Sequence, residues 1–119
     1  MARTIIRADA DDFDERVLAH SREVPLLVDY TAPGCAPCQA LSPTLEQAAR
    51  EYGGRFVLAK VDLAQSPALA ERLGVRTVPT VQAIVDGEVV AERVGTLRLP
   101  DIYAFIDEVL TLAGYQSEG

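Results

Sequence analysis

Cys35 and Cys38 are the only cysteines of the chain, and they stand two residues apart, with Pro37 between them, in "YTAPGCAPCQALSP", residues 30–43. Three chemistries use such a pair: a dithiol that cycles with its disulfide, half of a four-ligand zinc site, and a fixed crosslink. From Cys35 onward the apolar positions Cys38, Leu41, Leu45, Ala48 and Tyr52 recur at spacings of three and four, which predicts a helix that Gly53 and Gly54 stop. At its N-terminus Cys35 would meet unpaired backbone N–H groups and the positive end of the helix dipole. Both favour a thiolate, so Cys35 is the expected attacking sulfur. Cys38 lies one turn later on the inward stripe, where burial disfavours the thiolate, and would act second. Helical residues three apart hold their Cβ atoms about 5–6 Å apart, a little beyond the ~3.5–4.5 Å a disulfide prefers. A small adjustment in the first turn closes the ring, which suits an exchange centre.

The other half of a zinc site is missing, because there is no third cysteine and the single histidine, His20, reads as a surface residue of the first helix. A structural bridge is also the weaker reading, since so short a loop removes little entropy from the unfolded chain. At 119 residues the protein is long enough to bury one core without staples. Its balance of 49% hydrophobic and 24% charged residues is that of a packed globular chain. The formal net charge of −7 repels nucleic acid and anionic membrane surfaces at long range. No apolar run approaches the ~20 residues of a membrane-spanning helix. The opening "MARTIIRADADDFDERV" carries acids by residue 9 and lacks a secretory signal's apolar stretch, so a cytoplasmic location is expected.

The elements that must position the pair follow from pattern. A strand over 4–8 precedes acidic capping residues and a helix that carries Phe13 and Val17 and ends near Ser21. "PLLVDY", 25–30, fits a strand buried on both faces, interrupted by one acid, Asp29. In the helix after Cys35, Pro37 sits harmlessly in the first turn while Pro43 predicts a kink. A strand over 55–62 follows, then a short helix with Ser66 as N-cap and Pro67 at its first position, ended by Gly74. "TVQAIV" and "EVVAERV" flank Asp86-Gly87 as a hairpin, and a last amphipathic helix begins near Pro100. The expected order is β-α-β-α-β-α-β-β-α, one α/β domain over 1–119 with a flexible tail from about 114 to 119.

These pieces together resemble the thioredoxin family. "LLVDY", "CAPC", the proline at position 43, "LAKVD", "VRTVPT", "DGEVVAERVG" and the closing helix match it in order, from about Thr4 to Ala113. The resemblance implies a five-stranded mixed central sheet flanked by four helices. It implies that Asp29 is the buried acid that accepts the proton of the inner thiol, with Lys60 as its neighbour. It further implies a cis peptide before Pro79, which exposes the Val78 backbone to an extended substrate, and a shallow groove of Gly34, Ala36, Pro37, Val78, Pro79 and Gly95. Departures are visible: Gly34 and Thr31 stand where the family usually has tryptophan, and Ala36 replaces the commoner glycine. They bear on partner recognition more than on exchange chemistry.

The expected function is therefore protein-disulfide reduction, serving electron transport and cell redox homeostasis. No metal or bound cofactor is expected. Partners would be disulfide-containing clients and a thioredoxin-reductase-type electron donor, with no nucleic acid and no membrane, and the chain is expected to be a monomer. The rival is a partner-binding or chaperone-associated module with secondary or no redox activity, which the missing tryptophans motivate.

Overall fold

A computed structural model describes residues 3–114. The strands are β1 (Ile5–Arg7), β2 (Leu26–Thr31), β3 (Val57–Asp62), β4 (Thr80–Val85) and β5 (Glu88–Val94). They form one sheet in the order β1-β3-β2-β4-β5. The pairs β1/β3 and β3/β2 are parallel, whereas β2/β4 and β4/β5 are antiparallel, so the sheet is mixed as expected. The helices are α1 (Ala36–Glu51), α2 (Pro67–Leu73) and α3 (Leu99–Leu112), and a fourth helical segment lies between β1 and β2. The expected tail from about 114 onward falls almost wholly outside the described residues.

Helices on both faces follow from the period-two alternation of the strands. On one face Leu27, Leu58, Val81 and Ala83 meet Leu41 and Leu45 of α1 and Phe105 and Ile106 of α3. On the other, Leu26, Val28, Tyr30 and Val61 meet Phe13, Val17 and Leu69. Phe13 and Phe105 are buried almost completely, each contributing about 2–3 kcal/mol of apolar transfer. The hairpin turn is the Asp-Gly turn the sequence signals, with φ of 52° at Asp86 and 81° at Gly87.

Two elements differ from the sequence reading. The first helical segment is not an α-helix: it is a π-helix over Asp14–Ala19 that tightens into a 3-10 turn at His20–Arg22. Its register answers to tertiary contacts. Phe13 and Val17 must both lie under the sheet, and Ser21 is tied to the hairpin by Asp86 N–H donating to its carbonyl (2.9 Å) and Gly87 N–H to its Oγ (2.7 Å). Ser66 occupies the N-cap position of α2, but its hydroxyl does not cap the helix. It accepts instead from Ala10 N–H, 3.2 Å away in the loop after β1, because Ser66 is buried against that loop.

The sheet also buries a polar chain. The Tyr30 hydroxyl donates to Gln82 Oε1 (2.8 Å), and Gln82 Nε2 donates to the Leu73 carbonyl (3.0 Å) and Glu92 Oε2 (2.8 Å). Burial holds the Tyr30 phenol far above its ordinary range, so it serves as a neutral donor. Replacing Tyr30 with Phe keeps the volume but leaves Gln82 Oε1 buried without its donor. The expected loss is about 1–3 kcal/mol, read as a lower urea midpoint with an unchanged denaturant slope.

Candidate active site

The pair lies where β2 ends and α1 begins. Between them Ala32-Pro33-Gly34-Cys35 forms a turn closed by Cys35 N–H donating to the Ala32 carbonyl at 3.3 Å. Proline second and glycine third is the residue pattern of a type II turn, and φ of +77° at Gly34 is the conformation that pattern requires. The glycine standing in place of the family's tryptophan thus shapes the approach to Cys35. The Pro-Gly dipeptide was the available signal for this turn.

Cys35 is the N-cap residue of α1, with Pro37 at the second helical position. Its Sγ accepts from the Cys38 backbone N–H at 3.2 Å, the kind of donor that steadies a thiolate when the pair is reduced. In this structure Cys35 and Cys38 are joined as a disulfide, with Cα atoms 5.3 Å apart. Cys35 is partly exposed whereas Cys38 is buried, which separates an accessible sulfur from an inner one. The helix continues through Pro43, which removes one intrahelical donor without ending the element.

Beneath the pair lies Asp29, fully buried. It is the register partner of Lys60 on β3 and of Val81 on β4. Its Oδ2 accepts from Ser42 Oγ at 2.6 Å, and its Oδ1 has no hydrogen-bond partner among the described residues. Desolvation is the largest influence and raises the Asp29 carboxyl above the usual range. The Ser42 hydrogen bond and the Lys60 charge oppose that rise, and Glu46 adds to it. Lys60 is beside the acid, as expected, but its ammonium is paired with Glu46 Oε2 at 2.7 Å. A cleft of about 330 Å³ lined by Cys38, Ser42, Pro43, Glu46, Lys60 and neighbouring residues opens over this group.

Beside the end of β2 from which the turn to Cys35 leaves, the Val78-Pro79 peptide is cis. Thr80 Oγ1 donates to the Thr77 carbonyl (2.7 Å) and Gly95 N–H donates to the Pro79 carbonyl (2.9 Å), tying this loop to the end of β5. Gly34, Ala36 and Pro37 are exposed, Val78 and Gly95 are half-buried and Pro79 is buried. His20 lies away from all of them, in the 3-10 turn beside the hairpin, at the opposite end of β2.

Ser42 and Glu46 are site neighbours that the sequence reading missed. The signal was present: Cys38, Ser42 and Glu46 are four apart and share one helix face. Their role needed the strand beneath them.

Comparison with known proteins adds to this geometry. The family model described as Thioredoxin matches residues 4–108. Thioredoxin C-2 of Corynebacterium nephridii is 38% identical over 89 residues, 75% of this chain and 81% of its own length. Thioredoxin of Thiocapsa roseopersicina is 36% identical over 89 residues, 75% of this chain and 96% of its own. The chloroplastic Thioredoxin M5 of Oryza sativa subsp. japonica is 37% identical over 84 residues, 71% of this chain, and the chain spans only about half, 48%, of that relative's length.

The buried acid has a consequence for stability. Its folded-state pKa is raised above the unfolded value, so its contribution to stability is complete below the ordinary aspartate range and is lost as pH rises through the raised value. Asp29→Asn should therefore unfold several degrees higher than the wild type at mildly alkaline pH, with the gap closing in acid. Thermal melts at both pH values check this; a gap that does not change with pH contradicts it.

Proposed function

The chain belongs to the thioredoxin family of thiol–disulfide oxidoreductases, and from that premise we propose that it reduces protein disulfides through a Cys35/Cys38 cycle. The observation that carries the proposal is the Cys35–Cys38 disulfide at a helix N-cap, with a buried carboxylate bonded to the same helix one turn after the inner cysteine.

The Cys35 thiolate attacks one sulfur of a client disulfide, and the departing client thiolate takes a proton from water. A mixed disulfide now joins Cys35 to the client. Cys38 transfers its thiol proton to Asp29, and its sulfur attacks Cys35 Sγ. The second client thiolate leaves, so the client gains two electrons and the chain closes its own disulfide. Lys60 tempers the charge on Asp29 through the sheet register. The groove of Gly34, Ala36, Pro37, Val78, Pro79 and Gly95 receives the client as an extended segment beside the cis turn, where backbone groups can pair with it.

Disulfide substrates and a reductase that returns electrons are general partners of the family. For this chain we place the cycle in the cytoplasm, with a thioredoxin-reductase-type donor, protein clients and a monomeric single domain spanning 1–119. Among the described residues no helix is long and apolar enough to cross a membrane.

The test is dithiothreitol-driven reduction of insulin. The wild type should accelerate it, and Cys35→Ser should lose essentially all of that acceleration. Cys38→Ser should instead accumulate a covalent adduct with the client that added dithiothreitol releases. A wild type no faster than Cys35→Ser would overturn general disulfide reduction. Client capture that persists without either cysteine would favour the binding-module reading.

A further inference from the structure

We propose that Ser42 is a positioning residue for the proton step: by occupying Oδ2 of Asp29 it fixes the carboxylate with Oδ1 as the vacant acceptor for the Cys38 proton. This deepens, and rests on, the reading of Asp29 as that acceptor.

The geometry is specific. Ser42 stands one turn after Cys38, so its hydroxyl and the inner sulfur leave the same face of α1. Its Oγ lies 2.6 Å from Asp29 Oδ2, the spacing of an O–H donor on a charged oxygen. Ser42 is itself half-buried and lines the cleft together with Cys38, whereas Asp29 is fully enclosed. The hydroxyl is therefore the polar link between the carboxylate and the cleft.

Lys60 faces Asp29 from β3 and Glu46 from α1, where Cys38 lies one turn before Ser42, while the neighbour on β4 is the apolar Val81. The Lys60 ammonium is paired with Glu46 at 2.7 Å, and the Glu46 charge opposes part of the effect of Lys60 on the acid. Ser42 is then the direct donor that the ionised carboxylate has among the described residues. A buried carboxylate oxygen left without a donor is costly, and among the described residues Oδ1 has none.

The step balances. The Cys38 S–H bond breaks as an O–H bond forms at Oδ1. The Cys38 sulfur then bonds to Cys35 Sγ as the Cys35–client bond breaks, and the client leaves as a thiolate. Without Ser42 the carboxylate loses the donor that holds one oxygen in place. The ionised, accepting form becomes scarcer, and the two oxygens are no longer distinguished.

The experiment mixes reduced protein with excess of an aromatic disulfide, dithiobis(nitrobenzoate), and follows the released thiolate by stopped-flow absorbance. Attack by Cys35 gives the first release and resolution by Cys38 the second. The first serves as the internal reference for the second. Ser42→Ala should slow the second release by roughly tenfold near neutrality and move its acid limb to higher pH. Ser42→Thr, which keeps a hydroxyl, should restore both rate and profile. In an Asp29→Asn background Ser42→Ala should add nothing. Slow resolution in Asp29→Asn alongside a wild-type rate and pH profile in Ser42→Ala would overturn the Ser42 role alone. An Asp29→Asn variant that resolves at the wild-type rate would remove the Asp29 reading, and the role of Ser42 with it. A second release slowed in Ser42→Ala with no shift of the pH limb would mark a merely structural effect and would also overturn the proposal.

Discussion

β2 is buried on both faces, and its register between β3 and β4 is the constraint from which the site follows. Alternation along the strand sends Leu26, Val28 and Tyr30 to one core and Leu27 to the other. Asp29, two residues from Leu27, therefore joins the layer of α1. A slip of one residue would exchange the whole set and turn the carboxylate away from the cysteines. Pairing Asp29 with Lys60 and Val81 thus fixes where the proposed acceptor lies as firmly as it fixes the fold.

Placing a carboxylate there works against stability, and the surroundings compensate it only in part. One oxygen has a donor and the other has none among the described residues. Lys60, the cation that could neutralise the acid, is drawn toward Glu46. The outcome is an acid whose proton is held more tightly than an exposed aspartate holds one, which is the property a proton acceptor for a thiol requires. The buried Tyr30–Gln82 pair on the opposite face shows the contrast: there both members are satisfied, and the arrangement serves cohesion between β2, β4 and α2.

The surface around Cys35 is small-featured. Pro33 and Gly34 build a tight turn, and neither offers the broad apolar face that a tryptophan would give. Under the proposed function, recognition in such a groove would depend more on backbone pairing at Val78 than on side-chain burial. At the sheet's edge β5 is exposed along much of its length, but Glu88, Glu92 and Arg93 and the register shift opposite Ala83/Ile84 discourage pairing with another chain.

Much of this was legible from residue order, because the signals are local. The spacing of apolar residues identified α1 and α3, Asp-Gly identified the hairpin, and a helix starting at Cys35 separated an outer from an inner sulfur. Asp29 stood out as an acid in an apolar strand, although the role assigned to it came from resemblance. Where the reading failed, the deciding contacts join residues far apart in sequence. Ser21 bonding to Gly87 accompanies the π and 3-10 register of the first helical segment, and Ala10 takes the Ser66 hydroxyl from the helix it would have capped. The sequence by itself determined the order of elements and the dithiol. Only the tertiary structure decided that Ser42 touches Asp29 and that Lys60 turns to Glu46, since those choices depend on how α1 lies across β2 and β3.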